Sequence, residues 1–231
     1  MLAYLASKRE FLNDAPQIED LVRDAVFRHL NLKVGKSEYE AWRNSLGNAM
    51  FHVMNDPEIH DDAGIAVEYR LNGRRFRIDF MITGNDRSGN PQVVIVELKQ
   101  WTEIQLCDTP NHVITFLGGS MREERHPSYQ AWSYQSHLEL YNEFIYTNQV
   151  EINSCSYLHN CTENIVVSSS RYEELLSKPL FYLICLQAHK IKVPNACSFQ
   201  VKWVKSKCSN ILNDLSSLVL SKRSLLKITL S

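Results

Sequence analysis

The chain has 231 residues, of which 44% are hydrophobic, and it carries a net charge of −1 at pH 7. This composition excludes a disordered chain and allows one substantial buried core. The small net charge also excludes bulk attraction to a polyanion, so contacts with nucleic acid would require local basic clusters or bound metal.

Several features of the whole sequence predict a cytoplasmic protein with no membrane partner. The six cysteines show neither CxxC pairs nor the spacing of a secreted disulfide framework, which favours free thiols in a reducing cytosol. The N-terminus lacks the pattern of a signal peptide. No apolar stretch approaches the roughly 20 residues that cross a bilayer.

Two helices are predicted near the N-terminus. From Pro16 to Leu30, apolar residues recur at steps of three and four, which is the period of a helix with one buried stripe. A second such segment runs from Ser37 to Val53, with Pro57 beyond its end. It carries Glu40 beside the buried stripe, where the carboxylate could face a neighbouring sheet.

The period then changes to that of strands. Strand-like runs cover residues 65–71, 74–82 and 92–99, with Asn72-Gly73 and a loop over residues 84–91 between them. This spacing predicts an antiparallel meander. The third run is apolar on both faces of its pleat from Val93 to Val96, so helices are expected to cover both faces of the sheet.

The second half of the chain predicts fewer elements. A loop containing Gly118-Gly119 leads to a helix over residues 128–145, and a further strand is expected near residues 152–157. Ser170 and Glu173 have the spacing of a capping box, which predicts the start of a short helix.

The charge composition changes beyond Lys178. Residues 1–178 contain 17 basic and 25 acidic residues, whereas residues 179–231 contain 8 basic residues and one acidic residue, giving net charges of −8 and +7. We therefore divide the chain into a domain of residues 1–178 and a basic C-terminal segment of residues 179–231. The segment either completes the domain or forms an atypical or truncated tail, and residues 211–220 have enough Leu and Val for a last helix.

Residues 79 to 99 contain the chemically most informative pattern. In a strand, residues i and i+2 share a face, so Glu97 and Lys99 are expected to project together while Leu98 enters the opposite core. Asp79 lies in the preceding strand, and antiparallel pairing can bring its carboxylate close to Glu97. The alternative without a function is a purely structural salt bridge among these three residues.

Two carboxylates, a backbone carbonyl such as that of Leu98, and water suit Mg²⁺, with Mn²⁺ as a substitute. A metal-polarised water is a ready nucleophile, and the Lys99 ammonium could orient it or stabilise charge on a phosphate. The pattern therefore predicts hydrolysis of a phosphodiester, with Asp79, Glu97 and Lys99 as catalytic residues.

These residues resemble the PD-(D/E)XK nuclease superfamily. Asp79, in Arg77-Ile78-Asp79-Phe80, matches its first acidic position, and Glu97-Leu98-Lys99 matches its (D/E)XK element. The resemblance implies an α/β protein with a restriction-endonuclease-like core, in which a central mixed β-sheet is flanked by helices on both faces. It also implies a Mg²⁺-dependent nuclease whose metal ligands are Asp79, Glu97 and Leu98.

Two further elements extend this resemblance. Gln130 and Tyr134 are similar to the QxxxY element of RecB-like and exonuclease-like members, which implies that they bind substrate; ordinary helix polarity is the alternative. Glu40 is similar to the helix-borne glutamate that many members add to their metal site, although a solvated helix carboxylate is more common.

Residues 37–160 resemble a narrower group, the DUF2075-type proteins or Schlafen group 3-like DNA/RNA helicases. The matching segments include residues 37–46, Glu97 to Trp101, His126 to Tyr134 and Tyr157 to Asn160. In that family a nuclease-like domain precedes a helicase motor, for which this chain is too short. The resemblance implies a nucleic-acid partner, DNA in preference to RNA. The rival hypothesis is a catalytically silent nucleic-acid-binding or regulatory module.

Other patterns give weaker hypotheses. Cys155, His159 and Cys161 suggest zinc but have no obvious fourth ligand. The basic residues around Trp203 suit a single strand, although a solvated face is the simpler interpretation. Residues 84–91 have the glycine spacing of a phosphate-binding loop without its Lys and Ser/Thr, so we interpret them as a hairpin loop.

Overall fold

A computed structural model describes residues 2–57, 59–70, 76–85, 90–161, 166–167, 169–176 and 182–184. Its strands are β1 (Leu2–Ser7), β2 (Gly64–Arg70), β3 (Arg77–Asn85), β4 (Pro91–Lys99), β5 (Ile104–Leu106), β6 (His112–Leu117), β7 (Ser120–Arg125), β8 (Glu151–Leu158) and β9 (Tyr182–Ile184). Its α-helices are α1 (Lys8–Asp14), α2 (Ile18–Leu30), α3 (Lys36–Trp42), α4 (Phe51–Met54), α5 (Pro127–Tyr141), α6 (Glu143–Thr147) and α7 (Glu173–Leu176).

A six-stranded mixed sheet forms the centre of the fold, in the order β1-β2-β3-β4-β8-β9. The first four strands pair antiparallel, whereas β8 is parallel to β4 and β9 is parallel to β8. The predicted meander of three strands is therefore confirmed as β2, β3 and β4. The predicted strand near residues 152–157 is confirmed as β8.

Helices cover both faces of this sheet, as the apolar central strand predicted. On one face, Val94 and Val96 of β4 join a core with Phe11 of α1, Val22 of α2 and Trp42 of α3. On the other face, a second core joins the alternate residues of β4 to helices α5 and α6; its members include Val93, Ile95, Tyr134, Leu138 and Ile145. The mixed α/β class is thus observed.

The two N-terminal helices were predicted nearly to their ends. The first consists of a 3₁₀ turn over Ala15–Gln17 followed by α2, and Asn31, with a left-handed φ of 52°, ends it. The second is continuous from α3 to α4 through a π-helical stretch over Arg43–Met50. π-helical turns are uncommon and occur frequently at functional sites.

The helix predicted over residues 128–145 is in fact two helices. The chain leaves helical geometry at Asn142, whose Oδ1 accepts a hydrogen bond from the Ile145 amide and so caps α6. In the short helix near residue 170, a 3₁₀ turn precedes α7. Its first cap is Ser169, whose hydroxyl accepts from the Arg171 amide, rather than the predicted Ser170.

Two groups of strands were missed in the sequence. β1 pairs with β2 at the edge of the main sheet, and β5, β6 and β7 form a separate antiparallel sheet where a loop was expected. Gly118 and Gly119 make the tight turn between β6 and β7, with φ values of +59° and +87° that residues other than glycine rarely adopt.

Three residues of the basic C-terminal segment, Tyr182–Ile184, form β9 in the main sheet. The predicted helix over residues 211–220 and the basic residues around Trp203 lie outside the described residues. Within the part of the chain that is described, Cys107, Cys155 and Cys161 are buried thiols without disulfides. No helix there has the length and apolar character needed to cross a membrane.

Candidate active site

A cleft of about 510 Å³ opens where β3 begins and β4 ends. Helix α3 and the following π-helical stretch form one wall, and the β6–β7 hairpin contributes to the other. The lining residues include Glu38, Glu40, Trp42, Ser45, Glu68, Arg77, Asp79, Leu98, Lys99, Leu117 and Glu124. Asp79, Leu98, Lys99 and Glu40, all predicted to be catalytic or to bind metal, therefore line one cleft, whereas Glu97 is buried behind that lining.

Asp79 lies where the ladder between β3 and β4 stops. The last paired residues of the ladder are Phe80 and Val96. Beyond them, the Asp79 side chain replaces a backbone partner: its Oδ2 accepts a hydrogen bond from the Leu98 N–H at 3.0 Å. The N–H and C=O of a strand residue point toward the same neighbour, so the Leu98 carbonyl lies on the Asp79 side. The other carboxylate oxygen, Asp79 Oδ1, lies 3.9 Å from Arg77 Nε.

Glu97 and Lys99 project together, as the strand period predicted. The Lys99 ammonium lies 2.7 Å from Glu97 Oε1, and Glu97 is only 1% exposed. Among the described residues, Glu97 Oε2 is buried without a hydrogen-bond partner. Burial raises the pKa of the Glu97 carboxyl and Asp79 raises it further, although Lys99 opposes both. The site therefore contains a buried carboxylate oxygen that needs a cation or a proton.

The Lys99 side chain is held in place from several sides. Burial would lower its pKa, but Glu97 and Asp79 outweigh that effect and raise the pKa above its ordinary value. Gln130 Oε1 accepts a hydrogen bond from Lys99 Nζ at 3.1 Å, and the ring of Trp101 lies 5.3 Å from the same nitrogen. Lys99 is therefore a fixed cation at the cleft.

Gln130 and Tyr134 lie on one face of α5, as their spacing predicted. Gln130 Nε2 donates a hydrogen bond to the Tyr134 hydroxyl at 2.8 Å, so the tyrosine fixes the amide that contacts Lys99. Tyr134 is 5% exposed. The observed contacts of this pair are thus directed at the lysine.

Glu40 lies at the rim of the cleft, where it forms an ion pair with Arg43 at 3.3 Å. The guanidinium of Arg43 also contacts Glu19 at 2.9 Å. Glu40 thus lies in the same cleft as Asp79, but its ion pair is with Arg43, three residues further along the chain.

Glu68, on β2, is a further acidic residue that lines the cleft. It is buried, and its Oε1 accepts a hydrogen bond from the Trp42 indole N–H at 2.8 Å. Its Oε2 lies 3.2 Å from Arg77 Nε, an ion pair without hydrogen-bond geometry. Burial, opposed by Arg77 and aided by Asp79, raises the pKa of Glu68 to about 7.

The backbone of Glu68 explains how this carboxylate reaches the cleft. Its φ of 55° is left-handed, which is uncommon for any residue except glycine and costs about 1–3 kcal/mol. On the neighbouring strand, Asp79 occupies the opposing rung, which is missing from the ladder. Beyond this rung, Tyr69 and Ile78 join the α5 face, whereas Val67 and Phe80 join the opposite face. The alternation of side chains between the two faces is therefore interrupted in both strands, at Glu68 in β2 and at Asp79 in β3.

We expect Glu68→Gln to increase stability at alkaline pH. The folded state holds a proton on Glu68 up to a pKa of about 7, whereas the unfolded carboxyl releases it near pH 4.5. Stability from this proton is complete below pH 4.5 and is lost as pH rises through 7, by about 3 kcal/mol. Urea unfolding from pH 5 to 8.5 should give a flatter curve for Glu68→Gln. The exposed Glu123→Gln should follow the wild type, and a Glu68→Gln curve parallel to the wild type would contradict the assignment.

The zinc hypothesis finds no support in the described residues. Cys155 and Cys161 belong to different apolar clusters, and both ring nitrogens of His159 have other partners: Nε2 lies 3.0 Å from Ser45 Oγ and Nδ1 lies 3.1 Å from Asn160 Oδ1. Across the described ranges, no group of three or more His, Cys, Asp and Glu side chains is arranged to hold a metal ion.

Comparison with known proteins gives no relative for this chain. No family model, curated protein or solved structure matches it. The resemblance to PD-(D/E)XK nucleases therefore stays a prediction from the residues in β3, β4 and α5.

Proposed function

We propose that this cleft is the active site of a metal-dependent nuclease with a restriction-endonuclease-like core. The observation that carries the proposal is the buried Glu97 carboxylate, which has an oxygen without a described partner and lies beside Asp79 and Lys99. Buried carboxylates without full hydrogen bonding are costly, so they persist mainly where function requires them.

The oxygen donors at the site fit a hard divalent cation. Asp79 Oδ1, Glu97 Oε2 and the Leu98 carbonyl are the protein oxygens that would hold Mg²⁺ or Mn²⁺, and Glu40, which is paired with Arg43 at the rim, would join them only on leaving that ion pair. When bound, the cation would supply a Lewis acid that acidifies water and neutralises charge on a phosphodiester.

Lys99 and its supporting residues perform the remaining work in this proposal. The ammonium orients the attacking water or stabilises charge on the scissile phosphate, and its fixed position avoids reorganisation during the reaction. Gln130 holds the ammonium, and Tyr134 holds Gln130. We also propose that Gln130 contacts the substrate in the bound state.

The charges of the cleft support a requirement for cations. Its described lining contains five carboxylates against two cations, Arg77 and Lys99; the acids are Glu38, Glu40, Glu68, Asp79 and Glu124. A polyanion would be repelled by this surface unless divalent cations were bound. We expect DNA, in preference to RNA, as the substrate, and a helicase module in relatives of this chain.

One feature favours a second candidate, a catalytically silent nucleic-acid-binding module. One oxygen of each carboxylate already has a protein donor, the Leu98 amide for Asp79 and the Lys99 ammonium for Glu97. An acid pair that is satisfied by its own chain could preserve the fold without chemistry.

The direct test is incubation of the purified chain with labelled single-stranded DNA, duplex DNA and RNA, each with Mg²⁺, Mn²⁺ or EDTA. We expect DNA cleavage that requires Mg²⁺ or Mn²⁺ and is lost in Lys99→Ala. Binding without cleavage under every condition would favour the silent module. Equal degradation by the wild type and Lys99→Ala would show a contaminating nuclease.

A further inference from the structure

Arg77, at the start of β3, lines the cleft with 38% of its side chain exposed. Two of its three nitrogens are held by acids: Nη1 lies 2.5 Å from Glu38 Oε1, and Nε lies 3.2 Å from Glu68 Oε2. Nε also lies 3.9 Å from Asp79 Oδ1. Among the described residues, Nη2 forms no hydrogen bond, so it is the guanidinium nitrogen that can donate to a ligand.

The carboxylates around Arg77 fix the guanidinium in one orientation. Glu38 contacts it from α3, and Glu68 contacts it from β2. Glu68 is itself fixed by the Trp42 indole and reaches the cleft only through its left-handed backbone. Strained backbone concentrates at functional sites, because elsewhere nothing offsets its cost. The arrangement holds an arginine next to Asp79, where an anion would have to enter.

A structural clamp between α3 and β3 is the simpler explanation for Arg77. It would account for the contacts with Glu38 and Glu68, but such a clamp requires neither the partial exposure of the Arg77 side chain nor an Nη2 that forms no hydrogen bond with the described residues. Arginine is suited to phosphate because its planar fork offers donors in a fixed geometry. With Lys99, it is one of two cations among the described lining residues.

We propose that Arg77 is a phosphate-binding residue of this site, with Nη2 donating to a non-bridging oxygen of the substrate phosphodiester, while Glu68 acts as the positioning residue that holds the guanidinium. This inference rests on the proposed function and deepens it. It assigns the anion contact to Arg77 in addition to Lys99.

The test is binding of a fluorescein-labelled single-stranded oligonucleotide in CaCl₂, measured by anisotropy over a series of NaCl concentrations. We expect Arg77→Gln to weaken binding about tenfold, because a hydrogen bond to a charged group is lost. The slope of log K against log salt should fall by about 0.7, the value for one phosphate contact on a single strand. Arg77→Lys keeps the positive charge but loses the planar guanidinium, so its affinity should lie between those of the wild type and Arg77→Gln.

Two controls show whether weaker binding in Arg77→Gln comes from the loss of a hydrogen-bond donor or from carboxylates that the substitution leaves unpaired. Arg43→Gln also releases a cleft glutamate, Glu40, but removes no cleft donor, so it should bind like the wild type. Glu38→Gln/Glu68→Gln/Arg77→Gln removes both carboxylates that Arg77→Gln uncovers, and its binding should stay weak. Restoration of affinity in this triple variant would overturn the proposal, because Arg77 would then only mask Glu38 and Glu68.

The outcomes also distinguish this inference from the proposed function. Metal-dependent cleavage with normal affinity and salt slope in Arg77→Gln and Arg77→Lys would overturn the inference alone. A wild type that binds no oligonucleotide under any condition would overturn both. Thermal melting of each variant, with Arg77→Lys as the milder change, shows whether a loss reflects unfolding.

Discussion

Replacing Asp79 by Asn is expected to reduce metal-dependent cleavage by about 10²- to 10³-fold, the range for losing one charge-stabilising group in an active site. The substitution nearly preserves shape, and the amide oxygen can still accept the Leu98 N–H. It removes the charge that a divalent cation needs. The measurement is kcat/KM on the preferred DNA substrate, together with the Mg²⁺ concentration for half-maximal activity.

A surface aspartate provides the control for this substitution. Asp62 has a side chain that is 62% exposed and lies outside the cleft lining, so Asp62→Asn should retain wild-type cleavage. Thermal melting should place Asp79→Asn near the wild type. Full activity in a folded Asp79→Asn would remove Asp79 from the catalytic residues and with it the basis for the metal site.

Truncating Phe80 to Ala is expected to destabilise the protein by about 3–5 kcal/mol, which is the usual cost of emptying a fully buried aromatic site. Phe80 is 0% exposed and packs edge-to-face against Phe11, with ring centroids 5.4 Å apart. It anchors β3 to α1 next to Asp79. Because native domains are stable by only about 5–15 kcal/mol, this loss is large.

The matched control for this truncation is Phe27→Ala. Phe27 lies on α2 with 51% of its surface exposed, so its loss should change the free energy of unfolding by less than about 0.5 kcal/mol. The measurement is urea unfolding followed by circular dichroism. Equal destabilisation by both substitutions would contradict the core packing described for β3.

The sequence predicted the part of the site that depends on regular strand periodicity. Alternation placed Glu97 and Lys99 on one face of β4, and the meander placed Asp79 on the adjoining strand. Helical periodicity likewise put Gln130 and Tyr134 on one face of α5. These predictions needed only local patterns and the pairing of strands that follow one another in the chain.

The features that break a local rule could not be predicted. Glu68 adopts a left-handed φ at a non-glycine position, and the phase of β2 and β3 shifts there, so alternation fails at the cleft. The contacts of Arg77 join β3 to α3 across 39 residues of sequence, a distance over which no periodic pattern operates. The Gly118-Gly119 pair is the sequence feature that indicates the β6–β7 hairpin, but a glycine pair alone does not distinguish a hairpin turn from a loop.

The most direct test of the metal site is a crystal of the wild-type protein soaked in MnCl₂, with an anomalous difference map. We predict a peak between Asp79 and Glu97, within direct coordination distance of an oxygen of each carboxylate and of the Leu98 carbonyl, with the Lys99 ammonium still beside Glu97 Oε1. A map with no peak at these carboxylates in millimolar Mn²⁺ would contradict the nuclease assignment.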